Sequence, residues 1–477
     1  MTPMNVSPLS IGIDASRIAA ARRTGTERYT YEVIAALARV DRRSTYTLYT
    51  NGMPPALPPL GPNVALRSIP MPRLWTHARL GLELIVRPPD VLFVPAHVVP
   101  LAHPPASVVT IHDLGYLAFP QAHTPRRRLE LELTTRWSLR AARLTIAISQ
   151  ATKDDLVRRY GADPARVRVV HHGLGDAFRP VENPLVIAAA RERHGIAPRY
   201  LLYVGTLQPR KNLERLIDAF ALVADRPELT GIQLVIVGGR GWLSEGIERR
   251  IAQHGLTKRV RLSGYLPDED LPALLSGALA FVFPSLYEGF GMPVLEAMAC
   301  GAPVLTSNTS SLPEVAGDAA LLVNPTDPEE IAAGIARMAS DGGLRAKLYA
   351  RGLARAATFT WDRCARETLA VLRECAEVNH HPPKGGGFAL ALPTSRHPSS
   401  TARLRVPCRA NPAAVAYSNP KLVMKRSRAF RRPYPAKALT PRNNPKRIAI
   451  GQRLRPSPFS PPEASPAEPA RFRCSRT

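Results

Sequence analysis

The feature that most restricts this chain is an alternation that occurs twice: short apolar runs separated by segments of helical spacing. In the first half, residues 9–14, 46–50, 64–69, 91–94, 108–111, 144–148 and 167–170 read as strands. Helices are expected up to about Ala38, around 75–86, over 126–142 and over 151–160, the last capped by Ser149. The pattern loosens over 175–198 and then resumes, with strands at 200–204, 233–237, 260–262, 280–283, 304–305 and 321–323. The helices of this second run fall at 212–224, 244–253, 268–276, after Pro328 and at 361–378. Unbroken apolar runs are the habit of parallel strands buried on both faces, and helices between them make right-handed crossovers. The expectation is therefore α/β, with two doubly wound domains: residues 1–178, a linker at 179–198, and residues 199–378 with the helix 361–378 closing the second domain.

One stretch in the second half has the layout of a ligand site: Pro284-Ser-Leu-Tyr-Glu-Gly-Phe-Gly-Met-Pro-Val-Leu-Glu-Ala-Met-Ala-Cys-Gly-Ala-Pro-Val-Leu305. Its order is strand, glycine loop, helix, strand. Gly289 and Gly291 permit close backbone approach, and Pro293 suits a first helical turn. Ligands of open parallel sheets bind outside the carboxyl ends of the strands, and amides at a helix start favour phosphate. Glu288 is expected in the loop and Glu296 within the helix, both placed to accept sugar hydroxyls. A second segment, Gly205-Thr-Leu-Gln-Pro-Arg-Lys-Asn212, also lies between strand and helix and brings Arg210 and Lys211 to a helix start, an arrangement suited to a diphosphate.

Other segments admit two readings. The loop around Arg22, Arg23 and Gly25 follows a strand and precedes a helix, so it is either an anion site or a plain connection. His112 and Asp113 stand where a strand should end, as substrate contacts or as a loop histidine and a capping aspartate. The glycine cluster 238–241 is a ligand contact or a flexible connection. Asp268-Glu269-Asp270 reads as acidic residues complementing a helix start rather than a metal site. Adjacent His171 and His172 point in different directions and make a poor metal site. In the basic helix 126–142, Leu129, Leu133 and Trp137 form a stripe read as packing on its own domain, with a membrane surface as the alternative.

The chain has 477 residues and a net charge of +26, which invites a nucleic-acid reading. Residues 381–477, however, hold 20 Lys and Arg against two Asp and Glu, so most of the excess lies in a tail with 17 prolines. That tail, 379–477, is expected to be disordered, since it cannot bury enough apolar area to offset chain entropy. Its basic clusters, such as Lys425-Arg426-Ser427-Arg428, are the part suited to nucleic acid or anionic lipid. The five cysteines show neither metal spacing nor a disulfide framework, and Cys364 and Cys375 read as helix-packing residues. No apolar run reaches the roughly 18 residues that cross a bilayer, and the N-terminus lacks the pattern of a secretion signal.

With these residues in view, the chain over about 9–378 resembles the retaining glycosyltransferase family 4, whose GT-B architecture sets two Rossmann-like domains across a cleft. Two segments carry the resemblance: Glu288-Gly-Phe-Gly-Met-Pro-Val-Leu-Glu296, an E-x7-E pattern, and the loop from Gly205 to Asn212, similar to the family's donor-phosphate loop. The resemblance implies that Glu296 accepts the nucleotide ribose and Glu288 lies by the donor sugar. It implies backbone contacts from Gly205, Gly289, Phe290 and Gly291, and neutralisation of the departing diphosphate by Arg210 and Lys211. On the first domain it implies that Gly25 lines the cleft and His112 approaches the transferred sugar. The version found here, Arg23-Thr24-Gly25-Thr26-Glu27-Arg28, lacks the double glycine of many relatives.

The activity so implied is transfer of a hexose, mannose first, from GDP-mannose or another nucleotide diphosphate sugar to a glycan or lipid-linked glycan, with retention and without a metal or other cofactor. The setting implied is polysaccharide synthesis in the cytoplasm, with peripheral contact at the inner face of the membrane. A non-catalytic nucleotide- or glycan-binding protein on the same fold and a sugar-nucleotide epimerase are the competing readings.

Overall fold

The structure, a computed structural model, describes residues 8–19, 25–96, 98–239, 241 and 245–377. The proposed tail 379–477, Arg22 to Thr24 of the first loop, and Arg240 of the second glycine cluster lie outside the described residues.

The first sheet holds β1 (Ser10–Asp14), β2 (Thr45–Thr50), β3 (Val64–Ser68), β4 (Val91–Val94), β5 (Ser107–Ile111), β6 (Leu144–Ala147) and β7 (Val167–Val169). All are parallel, in the order β3-β2-β1-β4-β5-β6-β7. Its helices are α1 (Gly25–Val40), α2 (Gly81–Val86), α3 (Gly115–Ala118), α4 (Pro125–Ala141) and α5 (Gln150–Tyr160). The helix expected over 75–86 begins as a π-helical turn, Trp75–Leu80, and α1 begins at Gly25, inside what reads as loop. Ser149 caps α5 as expected, its side chain accepting from the Thr152 amide.

The chain then passes through α6 (Pro184–Arg193). Its second sheet runs β8 (Arg199–Val204), β9 (Ile232–Val237), β10 (Val260–Gly264), β11 (Ala280–Phe283), β12 (Val304–Ser307) and β13 (Ala320–Val323). The order is β10-β9-β8-β11-β12-β13, again parallel. Around it stand α7 (Leu213–Val223), α8 (Glu245–Gln253), α9 (Leu271–Ser276), α10 (Met292–Ala299), α11 (Leu312–Ala316), α12 (Pro328–Ser340) and α13 (Gly342–Ala356). Runs such as Ala280-Phe-Val-Phe283 are wholly buried, as strands covered on both faces must be. Strand order reverses between β1 and β4 and between β8 and β11, so the two crevices where such sheets bind ligands lie at the ends of those strands.

Two expectations change. The segment 179–198 is not plain linker: Asn183 caps α6, and Pro184 occupies its first turn, where a missing N–H leaves no helical bond unmade. The last helix, α14 (Trp361–Glu377), does not close the second domain. Its apolar face, including Trp361, Cys364, Leu369, Leu372 and Cys375, packs with Ile11, Ile13, Val33, Leu37 and Val91 of the first. Arg39 pairs with Asp362 at 2.7 Å, Arg168 with Glu374, and Arg143 donates to the Cys375 carbonyl at 3.1 Å. Cys364 and Cys375 are thus buried packing residues. The chain crosses between the domains twice, and the crossings touch: the Leu174 amide donates to Phe359, and a Cβ on Gly173 would lie 2.2 Å from the Trp361 nitrogen.

Candidate functional site

The two segments picked out in the second half meet at the β8/β11 crevice. After β8 the chain turns at Gly205, whose carbonyl stands 2.0 Å from where a Cβ on Gly238 would be. Gly241 similarly lies against the Leu207 carbonyl, which explains these glycines of the 238–241 cluster as backbone packing. The loop ends at Asn212, held in the left-handed region at φ 62°, with its side-chain amide donating to the carbonyls of Pro284 (3.0 Å) and Pro325 (2.6 Å). Ser285 and the Leu286 amide both donate to the Arg210 carbonyl. These bonds stitch the two loops together and bring Arg210 and Lys211 onto Glu288.

The result is one buried cluster. Lys211 Nζ is 2.6 Å from Glu288 Oε1, Arg210 Nη1 is 2.8 Å from Oε2, and Ser285 Oγ donates to Oε1 at 2.6 Å. The Lys211 ammonium also sits 4.8 Å from the centre of the Phe283 ring. Lys211 and Glu288 are only 6% and 7% exposed, so neither charge is held by water. Burial works against an ionised Glu288, but Lys211 and Arg210 together outweigh it and hold the carboxyl below its ordinary range. The sequence gives Glu288 and the two cations separate places; the structure joins them in one ion-paired group.

The loop beyond Glu288 is fixed from both sides. Ser310 donates to the Glu288 carbonyl and accepts from its amide, while Ser311 reaches the carbonyls of Glu288 and Phe290. From the first domain, Ser149 Oγ donates to the Gly289 carbonyl at 2.7 Å. A Cβ on Gly289 would lie 2.2 Å from the His112 carbonyl, so only glycine lets the domains approach here. Phe290 is buried, its ring 5.1 Å from that of His172. Gly291, at φ 116°, opens α10, and the amides of Gly289, Phe290 and Gly291 donate to no protein acceptor among the described residues. Free amides at a helix start are an anion-binding arrangement.

Glu296, one turn into α10, meets a residue that sequence reasoning passed over. Arg28, in the first turn of α1, places Nη1 3.1 Å from Glu296 Oε1 across the cleft. Burial raises the Glu296 carboxyl to about 7, Asp268 adds to this, and Arg28 opposes it. A signal existed: a cation at a helix N-terminus opposes the helix dipole and calls for an acidic partner. Gly25 stands three residues earlier at the start of α1, and a Cβ there would meet nothing within 4 Å, so no contact holds it to glycine.

On the first domain His112 follows β5 and is buried, with Nε2 2.8 Å from the Pro95 carbonyl. Burial lowers its pKa. A carbonyl only accepts, so in the neutral ring Nε2 carries the proton and Nδ1 is the acceptor. Tyr29 packs edge-on at 4.9 Å and joins His112 to His172. Asp113 accepts from the Gly115 amide at 2.9 Å, although Leu114, not Asp113, stands at the cap position of α3. His171 pairs with Glu314 at 2.6 Å, and no group of three or more metal-type side chains is assembled among the described residues. Asp270 makes no side-chain cap; it binds Arg193 at 2.7 Å and His194 at 2.8 Å, tying α9 to α6. The stripe on α4 also differs from expectation: the helix packs through Leu131, Thr135, Ser138 and Leu139, leaving Leu129 and Leu133 more than half exposed. Near His112, a cavity of about 590 Å³ is lined by Asp14, Glu27, Trp75, His77, Ala96 and Glu130, among others.

Comparison with known proteins agrees with this layout. Residues 23–177 match the model Glycosyltransferase Family 4 and residues 187–355 the model Glycosyl transferases group 1. The chain is 35% identical over 264 residues to O-antigen chain mannosyltransferase B of Escherichia coli, covering 55% of this chain and 69% of that protein. It is 32% identical over 221 residues to the serotype-specific mannosyltransferase WbdA of Escherichia coli, covering 46% of this chain but only 27% of that longer protein. Sucrose-phosphate synthase from Thermosynechococcus elongatus superposes with a TM-score of 0.60 at 23% identity, over 78% of this chain and 100% of its own, which shows the shared fold. Two parallel-sheet domains meeting at the carboxyl ends of their strands are the GT-B architecture, and with both halves matched in order the chain belongs to the glycosyltransferases of family 4.

Proposed function

We propose that this glycosyltransferase moves mannose from GDP-mannose to a glycan or lipid-linked glycan acceptor, with retention of configuration and without a metal, in polysaccharide synthesis. The observation that carries the donor site is the Arg210–Lys211–Glu288 cluster beside free amides at the start of α10, facing His112. Breaking the anomeric bond places negative charge on the diphosphate, and fixed cations in a dry site stabilise that charge far better than water does. Arg210 and Lys211 supply it, released from Glu288 as the diphosphate takes its place; Glu288 then orients the sugar. His112 approaches the transferred sugar from the first domain. Mannose is favoured by the names of the two Escherichia coli relatives. A solved neighbour of 19% identity is described in complex with UDP and glucose, so a UDP-sugar is the second donor candidate.

The cavity near His112 is our choice for the acceptor. Carboxylates, an aromatic wall and a single arginine, Arg17, itself 3.6 Å from Glu27, suit the hydroxyls of a neutral sugar. We further assign α4 to the inner face of the cell membrane, because exposed Leu129 and Leu133 lie beside exposed Arg126 to Arg128. No helix among the described residues is long and apolar enough to cross a membrane.

Thermal-shift titration with GDP, UDP, ADP and their sugars tests the donor, since a ligand stabilises by the logarithm of its concentration over Kd. Strongest stabilisation is expected with GDP and GDP-mannose; a response to none of the panel rejects the reading. For the membrane, sedimentation with anionic vesicles should persist after removal of residues 379–477 and weaken on reversing the charges at Arg126 to Arg128. Unchanged sedimentation on reversal rejects that assignment.

A further inference from the structure

Glu296 is the residue expected to accept the ribose, yet one of its oxygens is already held by a guanidinium from the other domain. We propose that Arg28 is a positioning residue of the donor site, holding Glu296 oriented so that the ribose acceptor is complete only when both domains contribute. The inference rests on the reading of Glu296 as the ribose-binding carboxylate.

Three segments converge to place this one side chain. The first turn of α1 carries Arg28, and buried Tyr29 beside it anchors that turn against His112 and His172. From the crossing segment, the Phe178 ring stacks under the guanidinium at 5.4 Å, and Gly175 leaves the room it needs, since a Cβ there would be 3.0 Å from Nη2. From the second domain comes Glu296 itself, at 3.1 Å. The contact spans 268 residues of sequence and both halves of the site.

The division of labour follows from the two carboxylate oxygens. Oε1 receives Arg28, while Oε2 accepts no hydrogen bond from the described residues and is left for a hydroxyl. A ribose diol is best bound by a carboxylate, which only accepts; a neutral carboxyl has a proton in the way. The groups that face Glu296 are Arg28 from α1, Asp268 from the turn before α9, and the Cys300 thiol after α10, which burial pushes up to about 12 and keeps neutral. Arg28 is therefore the cation that opposes burial and Asp268, and it does so in part, since the carboxyl still stands at about 7. Without it the carboxyl rises further, and at neutral pH the site holds an acid where it needs a base.

The test is isothermal titration of the full chain, wild type, Arg28→Ala and Arg28→Lys, with GDP and UDP and their 2′,3′-dideoxy forms, from about pH 6 to about pH 9. Wild type should prefer the hydroxylated nucleotide by about tenfold at neutral pH. Arg28→Ala should lose that preference near neutrality and recover it at higher pH, Arg28→Lys should keep it, and dideoxy affinities should match in all three. Equal loss for both nucleotides in Arg28→Ala, or a preference that survives with an unmoved pH profile, overturns the proposal and makes Arg28 merely structural. A wild type that binds nucleotide but ignores the hydroxyls removes the ribose reading of Glu296, and the inference falls with it. Where Arg28→Ala fails to fold, Gly175→Ala, which crowds the guanidinium, is held to the same criteria.

Discussion

Lys211→Met and Glu288→Gln, singly and together, measure what the buried cluster does. At an effective dielectric constant of about 20, an ion pair at 2.6 Å carries ~6 kcal/mol of Coulomb attraction, set against several kcal/mol of desolvation for each ion. Removing one partner of a buried pair costs about 3–5 kcal/mol because the other charge is stranded. Here the loss is smaller, since Arg210 and Ser285 still hold Glu288 when Lys211 is gone. Methionine also preserves the stem packed against Phe283. Lys211→Met should therefore lose ~2–3 kcal/mol in denaturant unfolding and Glu288→Gln, which strands both cations, about 3–5 kcal/mol, with the double variant short of the sum by at least ~1 kcal/mol. Burial alters the simpler expectation that such changes remove activity and leave stability untouched.

The two variants should part company in ligand binding. Lys211→Met removes a cation from the diphosphate site and should weaken GDP by ten- to a hundredfold, about 1.4–2.7 kcal/mol. Glu288→Gln frees both cations from their internal counterion, so GDP should bind at least as tightly as to wild type while transfer falls sharply. Stability effects that add within about 0.5 kcal/mol, or equal loss of GDP affinity in both variants, would refute the reasoning.

Gly289→Ala puts a methyl 2.2 Å from the His112 carbonyl, so the domains should part; small-angle scattering should show a larger radius of gyration and transfer should fall, with each domain still folded. Acid should act at two places, the Glu288 cluster within the second domain and the domain contact at Glu314 of α11, which accepts from amides at the start of α5: both carboxyls are held below the ordinary range by neighbouring charges and hydrogen bonds despite burial. Groups with depressed folded values stabilise above the unfolded value near about 4.3 and lose that contribution as pH falls through the folded one, so unfolding temperature should drop below about pH 4. A melting temperature flat through that window would contradict both assignments.

The parts legible in the sequence are those whose signal is local. Strand runs such as 280–283, the glycine loop between Glu288 and Glu296, and the Arg210–Lys211 turn each state their chemistry within a dozen residues. The illegible parts depend on partners far along the chain. The apolar stripe of α14 shows that it covers something, but Trp361 and Leu372 do not say which sheet, and sequence proximity points to the wrong one. In α6 only Ala190 is buried, so no periodicity marks it, although Asn183-Pro184 was a readable start. On α4 the leucines at 129 and 133 have the spacing of a packed face, yet the small and polar Thr135 and Ser138 do the packing. Arg28 looked like one more charge on a helix because its carboxylate lies 268 positions away.

The return of α14 to the first sheet has a consequence for biosynthesis. Ribosomes release a chain from its N-terminus, at a pace that lets domains fold as they emerge. Here the N-terminal domain cannot bury Ile13 of its sheet or Val33 and Leu37 of α1 under their final cover until residues 361–377 have been made. The second domain has all thirteen of its strands and helices by Ala356, so it can finish first. The half encoded first should thus mature last, waiting as an incompletely covered sheet for the end of the body to arrive, and its exposed face is where a chaperone would find the nascent chain.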